Sequence, residues 1–166
     1  MTTTTAPKPT PSVDLDDITK AVRKRTFCTL ATVSPSNRPH SAGVLYGAVD
    51  MTLYVSTLRS SRKARNVAAN PNVGVSILVR RLPVGPPSSI QFQATADVLD
   101  LDDPALLDLV AAGHLKSVTG HGELELPGGC FLRITPVRRI NTYGLGMSIR
   151  RLLKDPLNAA GSVSLV

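Results

Sequence analysis

Apolar residues fall along this chain in short runs whose period changes several times. Over Asp14–Arg25, Leu15, Ile18 and Val22 recur at i, i+3 and i+7, one stripe of a helix. Asp14, Asp16 and Asp17 crowd its start, and Lys20, Arg23, Lys24 and Arg25 its end, the order a helix dipole favours. Thr26–Val33 (TFCTLATV) is rich in Thr, Val and Phe and predicts a strand. Ser34 to Pro39 is a turn. His40–Val49 predicts a second strand and Thr52–Thr57 a third. Asp50-Met51 joins them as a hairpin, although Asp-Met is a poor tight-turn sequence.

The pattern then predicts a short helix over Arg62–Ala69, capped by Ser60 or Ser61 and stopped by Asn70-Pro71. Val73–Val79 is a fourth strand and Pro83–Pro87 a loop. Ile90–Leu99 is a fifth strand, with Ile90, Phe92, Ala94, Ala96 and Val98 on one face. Asp102 or Asp103 caps a helix from Pro104 to about Leu115. Thr119–Gly129 is irregular. Cys130–Tyr143 is the last strand, interrupted at Pro136 and so placed at a bend or edge. SIRRLLK suggests a helical turn or two, and the last ten residues read as loosely held. Six short strands with a few helices imply a small antiparallel barrel or sandwich with helices outside.

At 166 residues, 42% of them hydrophobic, the chain suits one domain with its own core. The expected division is a disordered leader (1–12), a cofactor-binding domain (13–146) and a C-terminal tail (147–166). No run is long and apolar enough for a membrane span. Met1–Pro11 lacks the basic and apolar regions of a secretory signal. Cys28 and Cys130 read as free thiols in a reducing cytoplasm. The net charge of +7 favours anionic partners. Only six residues are Phe or Tyr and none is Trp, which argues against stacking single-stranded nucleic acid.

The chemistry concentrates in one stretch. Met51–Ala96 holds no Asp or Glu but six cations: Arg59, Arg62, Lys63, Arg65, Arg80 and Arg81. Four of them gather at the start of the second helix, where the dipole disfavours cations by ~0.3–1 kcal/mol each. A capped helix start with outward N–H groups, Arg62 and Lys63 makes a phosphate site. Cys28 alternates within an apolar strand and reads as a small hydrophobe. His121 and Glu123 lie two apart with no third ligand evident, so no metal site is assigned.

The run LATVSPSNRPHSAGVLYGAVDMTLYVSTLRSSRKARNVAANPNV resembles the core of the pyridoxamine 5′-phosphate oxidase-like, flavin-binding proteins. The pieces that match are LATV, RPH, LYVST, SRKARN and NPNV. The resemblance extends from about Phe27 to Leu99 and more loosely over Cys130–Thr142. It implies a mainly β (α+β) fold, a six-stranded antiparallel split β-barrel with flanking helices. It also implies a homodimer with a flavin in each of two interface clefts. Carried over, Arg62 and Lys63 bind the cofactor phosphate and Ser61 supports it from the cap. Val55, Ser56 and Thr57 contact the ribityl chain or ring, and the backbone of His40, Ser41 and Ala42 runs along the ring.

The chain departs from true pyridoxamine phosphate oxidases in having no Trp and no Arg/His-rich C-terminal substrate segment. Ser89 stands where those enzymes place a cofactor-contacting Gln, with Gln91 two residues on. These departures point away from vitamin B6 oxidation. The closer likeness is to the actinobacterial branch, which binds FMN or the deazaflavin coenzyme F-420. For the latter, Arg59, Arg65, Arg80 or Arg81 would receive its acidic tail. The expected function is a hydride-transferring oxidoreductase, drawing any proton from solvent, His40 or Tyr46. The alternatives are a non-catalytic flavin or haem store and, less well matched, a nucleic-acid binder.

Overall fold

The strands follow from burial on alternate residues. Along β5 (Asn72–Val79), Val73, Val75, Ile77 and Val79 turn inward, while along β6 (Ser88–Leu99) Ile90, Phe92, Ala94 and Ala96 do so. These strands belong to a computed structural model that describes residues 13–79 and 87–165. The predicted Pro83–Pro87 loop, Arg80, Arg81 and the leader fall mostly or wholly outside the described residues.

The other strands are β1 (Phe27–Val33), β2 (Pro39–Leu45), β3 (Gly47–Val49), β4 (Thr52–Leu58), β7 (Gly129–Tyr143) and β8 (Ala160–Ser164). They pair antiparallel in the order β2-β1-β5-β6-β7-β4-β3, with β8 on β7. The sheet curls until β2 approaches β4, giving a split barrel with flanking helices. The helices are α1 (Leu15–Arg23), α2 (Arg62–Ala69), α3 (Pro104–Ala111) and α4 (Ile149–Lys154). No helix among the described residues is long and apolar enough to cross a membrane.

Two features raise the strand number from the expected six to eight. The segment expected as one strand over 40–49 breaks at Tyr46. Its ring is wholly buried, its hydroxyl donates to the Val22 carbonyl at 2.8 Å and its N–H to the Thr26 carbonyl at 2.8 Å. The chain turns a corner there, leaving β1 as partner and taking up β4. Tyr46 therefore anchors α1 to the barrel and is no proton donor in a cleft; burial pushes its hydroxyl pKa up.

The second feature is β8. Its Gly/Ser-rich sequence predicts a loosely held end, yet it pairs with β7 from Arg139 to Tyr143. β4 covers only the first half of β7, so the second half would otherwise be an open edge.

The main core lies inside the barrel and includes Ile18, Val22, Leu30, Leu53, Ile77, Ile90, Leu132 and Ile134. A smaller cluster of Tyr54, Leu99, Leu106, Leu115, Val118 and Phe131 seals the outer side of β4 and β7 under α3. α3 ends at Ala111, short of Leu115, because Gly113 (φ 79°) follows its last turn and His114 N–H bonds back to Leu109. Cys28 and Cys130 are free and buried. Burial pushes the Cys28 thiol up to about 12.

Candidate functional site

Ser61 starts α2 because its side chain substitutes for the missing helical acceptor. Its backbone is extended (φ −65°, ψ 151°) and its Oγ accepts the Ala64 N–H at 3.3 Å. Thr57, at the end of β4, donates its hydroxyl to Ser61 Oγ at 3.3 Å and ties the cap to the sheet. The first turn of α2 carries no acidic residue, and Arg62 and Lys63 stand in it instead. Among the described residues, neither forms an ion pair. The fold thus holds two unpaired cations at the positive end of a helix, an arrangement that an oxyanion relieves.

Lys63 is half-buried. Burial raises the Cys130 thiol pKa, against a smaller lowering pull from Arg59 and then Lys63. Cys130 sits opposite Thr57 in the β4–β7 ladder. The Thr57–Ser61 bond thus places the cap of α2 at the end of β4. Arg62 is exposed and lines a cavity of about 470 Å³ between α2 and the β1–β2 turn.

Arg38, His40, Arg65 and Asn66 share that cavity with Arg62. The turn that presents Arg38 is closed by hydrogen bonds. Ser34 N–H bonds to the Arg38 carbonyl at 3.0 Å, Arg38 N–H to Ser34 Oγ at 3.1 Å, and Asn37 adopts φ 57°, which Asn tolerates. Arg62 and Arg65 lie three residues apart on one helix face, where like charges oppose each other by roughly 0.2–0.5 kcal/mol. No acidic residue lines the cavity, and among the described residues Arg38 and Arg65 also form no ion pair. His40 is half-buried, and its Nδ1 is buried without a hydrogen-bond partner.

Of the other residues expected at the site, Ser56 and Thr57 are half-buried at the end of β4, whereas the Val55 side chain packs in the main core. Val55 as a whole is 1% exposed, so the structure presents no part of it at the surface. Ser41 is exposed and Ala42 half-buried on β2. β2 ends the sheet, so alternate backbone groups of His40, Ser41 and Ala42 point away from β1. The structure thus brings Ser61, Arg62, Lys63 and Thr57 together around one cap, with His40 across the cavity from Arg62. Arg59 is bound in an ion pair with Asp100 and is not a free cation. His121 and Glu123 pair with each other, and no group of three metal-ligating side chains occurs among the described residues.

Sequence reasoning missed Arg38 and Asn66. Arg38 is visible only as part of a turn motif, and its approach to Arg65 depends on how the hairpin folds over α2. A second cavity, of about 730 Å³, lies on the outer face of β1, β5, β6 and β7. Thr29, Ser76, Gln91 and Asn141 form one polar row across its floor. One wall is a bulge where Gln93 faces Val137, Arg138 and Arg139.

No curated protein sequence is similar enough to match the chain. Solved structures share its fold. A haem storage protein, HutZ from Vibrio cholerae, is 20% identical with a TM-score of 0.68, covering 79% of this chain and 95% of that one. A FAD-binding protein from Mesorhizobium loti is 20% identical with a TM-score of 0.61, covering 78% and 92%. An F-420 reductase is 16% identical with a TM-score of 0.50, covering 71% and 91%. The family model described as pyridoxamine 5′-phosphate oxidase matches residues 15–142, from the first residue of α1 almost to the end of β7. The chain therefore belongs to the pyridoxamine 5′-phosphate oxidase family.

Proposed function

We propose that the protein is an oxidoreductase that binds a flavin-type cofactor, FMN or deazaflavin F-420, and transfers hydride to a small organic substrate. The observation that carries this reading is the acid-free cap of α2, where Arg62 and Lys63 follow Ser61 and form no ion pair among the described residues. Such a cap fits a phosphate: backbone N–H groups and the dipole meet its charge, and Arg and Lys add direct contacts. FAD-binding and F-420 reductase relatives of the same fold support a flavin-type ligand. When bound, the cofactor supplies the hydride chemistry at its ring. The chain's own part is to grip the phosphate at Ser61, Arg62 and Lys63 and to offer Ser56 and Thr57 to the connecting chain. Unpaired backbone groups of His40, Ser41 and Ala42 lie on the edge strand that faces β4 and suit a heteroaromatic ring edge.

The proposal includes a homodimer. Leu45 and Phe27 are 59% and 56% exposed and stand directly opposite each other on β2 and β1. The β1–β5 register carries the row on to Leu78, also exposed. A second copy of the chain is the natural cover for such a row.

Titration of the purified protein with FMN and with F-420 tests the reading. Saturable binding of either, with faster consumption of its reduced form when protein and an acceptor are both present, supports it. Binding without turnover favours the second reading, a flavin or haem store, to which the haem-storage title of HutZ lends support. Binding of DNA in preference to either cofactor, with affinity falling steeply in salt, counts against both.

A further inference from the structure

We propose that the outward side of α4 and the turn after it form a docking surface for an anionic lipid bilayer. Leu153 and Leu157 enter the headgroup layer, and Arg150 and Lys154 meet its charge. The surface uses none of the residues of the cofactor reading and stands without it.

Leu157 and Leu153 are the two most exposed large hydrophobic side chains among the described residues, at 93% and 67%. A single exposed leucine is ordinary on a protein surface. Two on one short segment, both beside cations, call for a cover. Arg150, Leu153 and Lys154 are exposed and recur at i, i+3 and i+4 along α4, so they share one side of it. Leu157 stands on the 3-10 turn that follows, Pro156–Asn158. Among the described residues, neither Arg150 nor Lys154 forms an ion pair. The one carboxylate between Ser148 and Asn158 is that of Asp155, which is half-buried and accepts the Asn158 Nδ2 hydrogen at 2.8 Å.

The exposure is built into the fold. Leu152 is buried in a small cluster with Met147 and Ala159. It packs onto Gly144, where a Cβ would lie 2.9 Å from its Cδ2. Ser148 caps the helix by accepting the Arg151 N–H at 3.3 Å, and Gly144 N–H bonds to the Ala159 carbonyl at 2.9 Å. With Leu152 fixed inward, the neighbouring Leu153 is turned out.

Charge and shape select the occupant. A second copy of the chain meeting this surface about a two-fold axis would set Arg150 and Lys154 against the same cations, with no acid in reach but the engaged Asp155. A rigid protein partner would need a pocket shaped for Leu157, which stands almost free of its own chain. An anionic bilayer needs neither. Its surface conforms, its headgroups neutralise the two cations, and its acyl boundary takes the two leucines. The contact is peripheral, since no described helix is long and apolar enough to cross a membrane.

Co-sedimentation of the full chain with vesicles is the test. Vesicles of equal parts phosphatidylcholine and phosphatidylglycerol should capture the protein, and vesicles of phosphatidylcholine alone far less. Leu153→Ser/Leu157→Ser keeps the net charge and removes only exposed apolar surface, so it should melt with the parent. Its affinity for the anionic vesicles should nevertheless fall at least about tenfold. Leu157→Ser alone, at the more exposed position, leaves α4 untouched and should weaken binding in the same direction. Arg150→Gln/Lys154→Gln should lose roughly twentyfold, about fivefold for each charge. No binding to anionic vesicles, equal capture by neutral ones, or leucine variants that bind as the parent does would each overturn the proposal. So would a leucine variant that sediments at a lower mass than the parent, because a second copy would then be the cover.

Discussion

Asn66 donates its Nδ2 hydrogen to Thr32 Oγ1 at 2.9 Å, and both side chains are buried. Thr32 in turn donates to the His40 carbonyl at 3.4 Å. A short polar chain thus runs from α2 through β1 to β2 and fixes the three elements that surround the cavity.

Asn66→Ala breaks that chain at its buried end. The Thr32 hydroxyl loses its donor, and a buried polar group left short of a partner costs about 1–3 kcal/mol. Urea denaturation should show a lower midpoint with little change in slope. A stability within error of the parent would mean that the hydrogen bond adds nothing to the docking of α2.

The Leu45–Phe27 pair makes a prediction about assembly. Both side chains are more than half exposed, so Phe27→Ser/Leu45→Ser removes apolar surface without hollowing the core. Sedimentation should show the parent as a dimer and the variant shifted toward monomer, with an unchanged circular dichroism spectrum. An equally dimeric variant would place the interface elsewhere.

The two thiols should be silent in the native protein. Cys28 is buried with its thiol pushed up to about 12, and burial also raises Cys130. At pH 8 a thiol of that pKa is ionised in roughly one molecule in 10⁴, and the thiolate is the reactive form. A thiol reagent should therefore label neither cysteine in the folded state and both in denaturant. Rapid labelling of the native protein would contradict this burial.

Much of this fold is legible in the residues. The Arg62–Ala69 helix can be read directly, because a serine cap, Ser60 or Ser61, and the Asn70-Pro71 stop agree; the structure selects Ser61. The same holds for α1, whose charges order themselves along its dipole. The break at Tyr46 is invisible, because nothing in LYGAV says that the strand changes partner there; only the three-dimensional bond to Val22 does. β8 is hidden for a related reason, since AGSVS becomes a strand only through the open edge of β7. The candidate site divides in the same way. Arg62 and Lys63 are adjacent in sequence and stand out by their conflict with the helix dipole. Arg38 lies 24 positions before Arg62 and joins it only through the docking of the hairpin.

The most direct test of the central claim compares two ligands that differ by one phosphate. FMN and riboflavin share the ring and the connecting chain, so the ratio of their affinities reports the phosphate grip alone. The account predicts that FMN binds the parent at least tenfold more tightly than riboflavin, as one charge-assisted contact or more requires. In a folded Arg62→Ala/Lys63→Ala variant that preference should collapse, with riboflavin affinity little changed. Equal affinities for the two ligands in the parent protein, or a preference that survives in the variant, would contradict it.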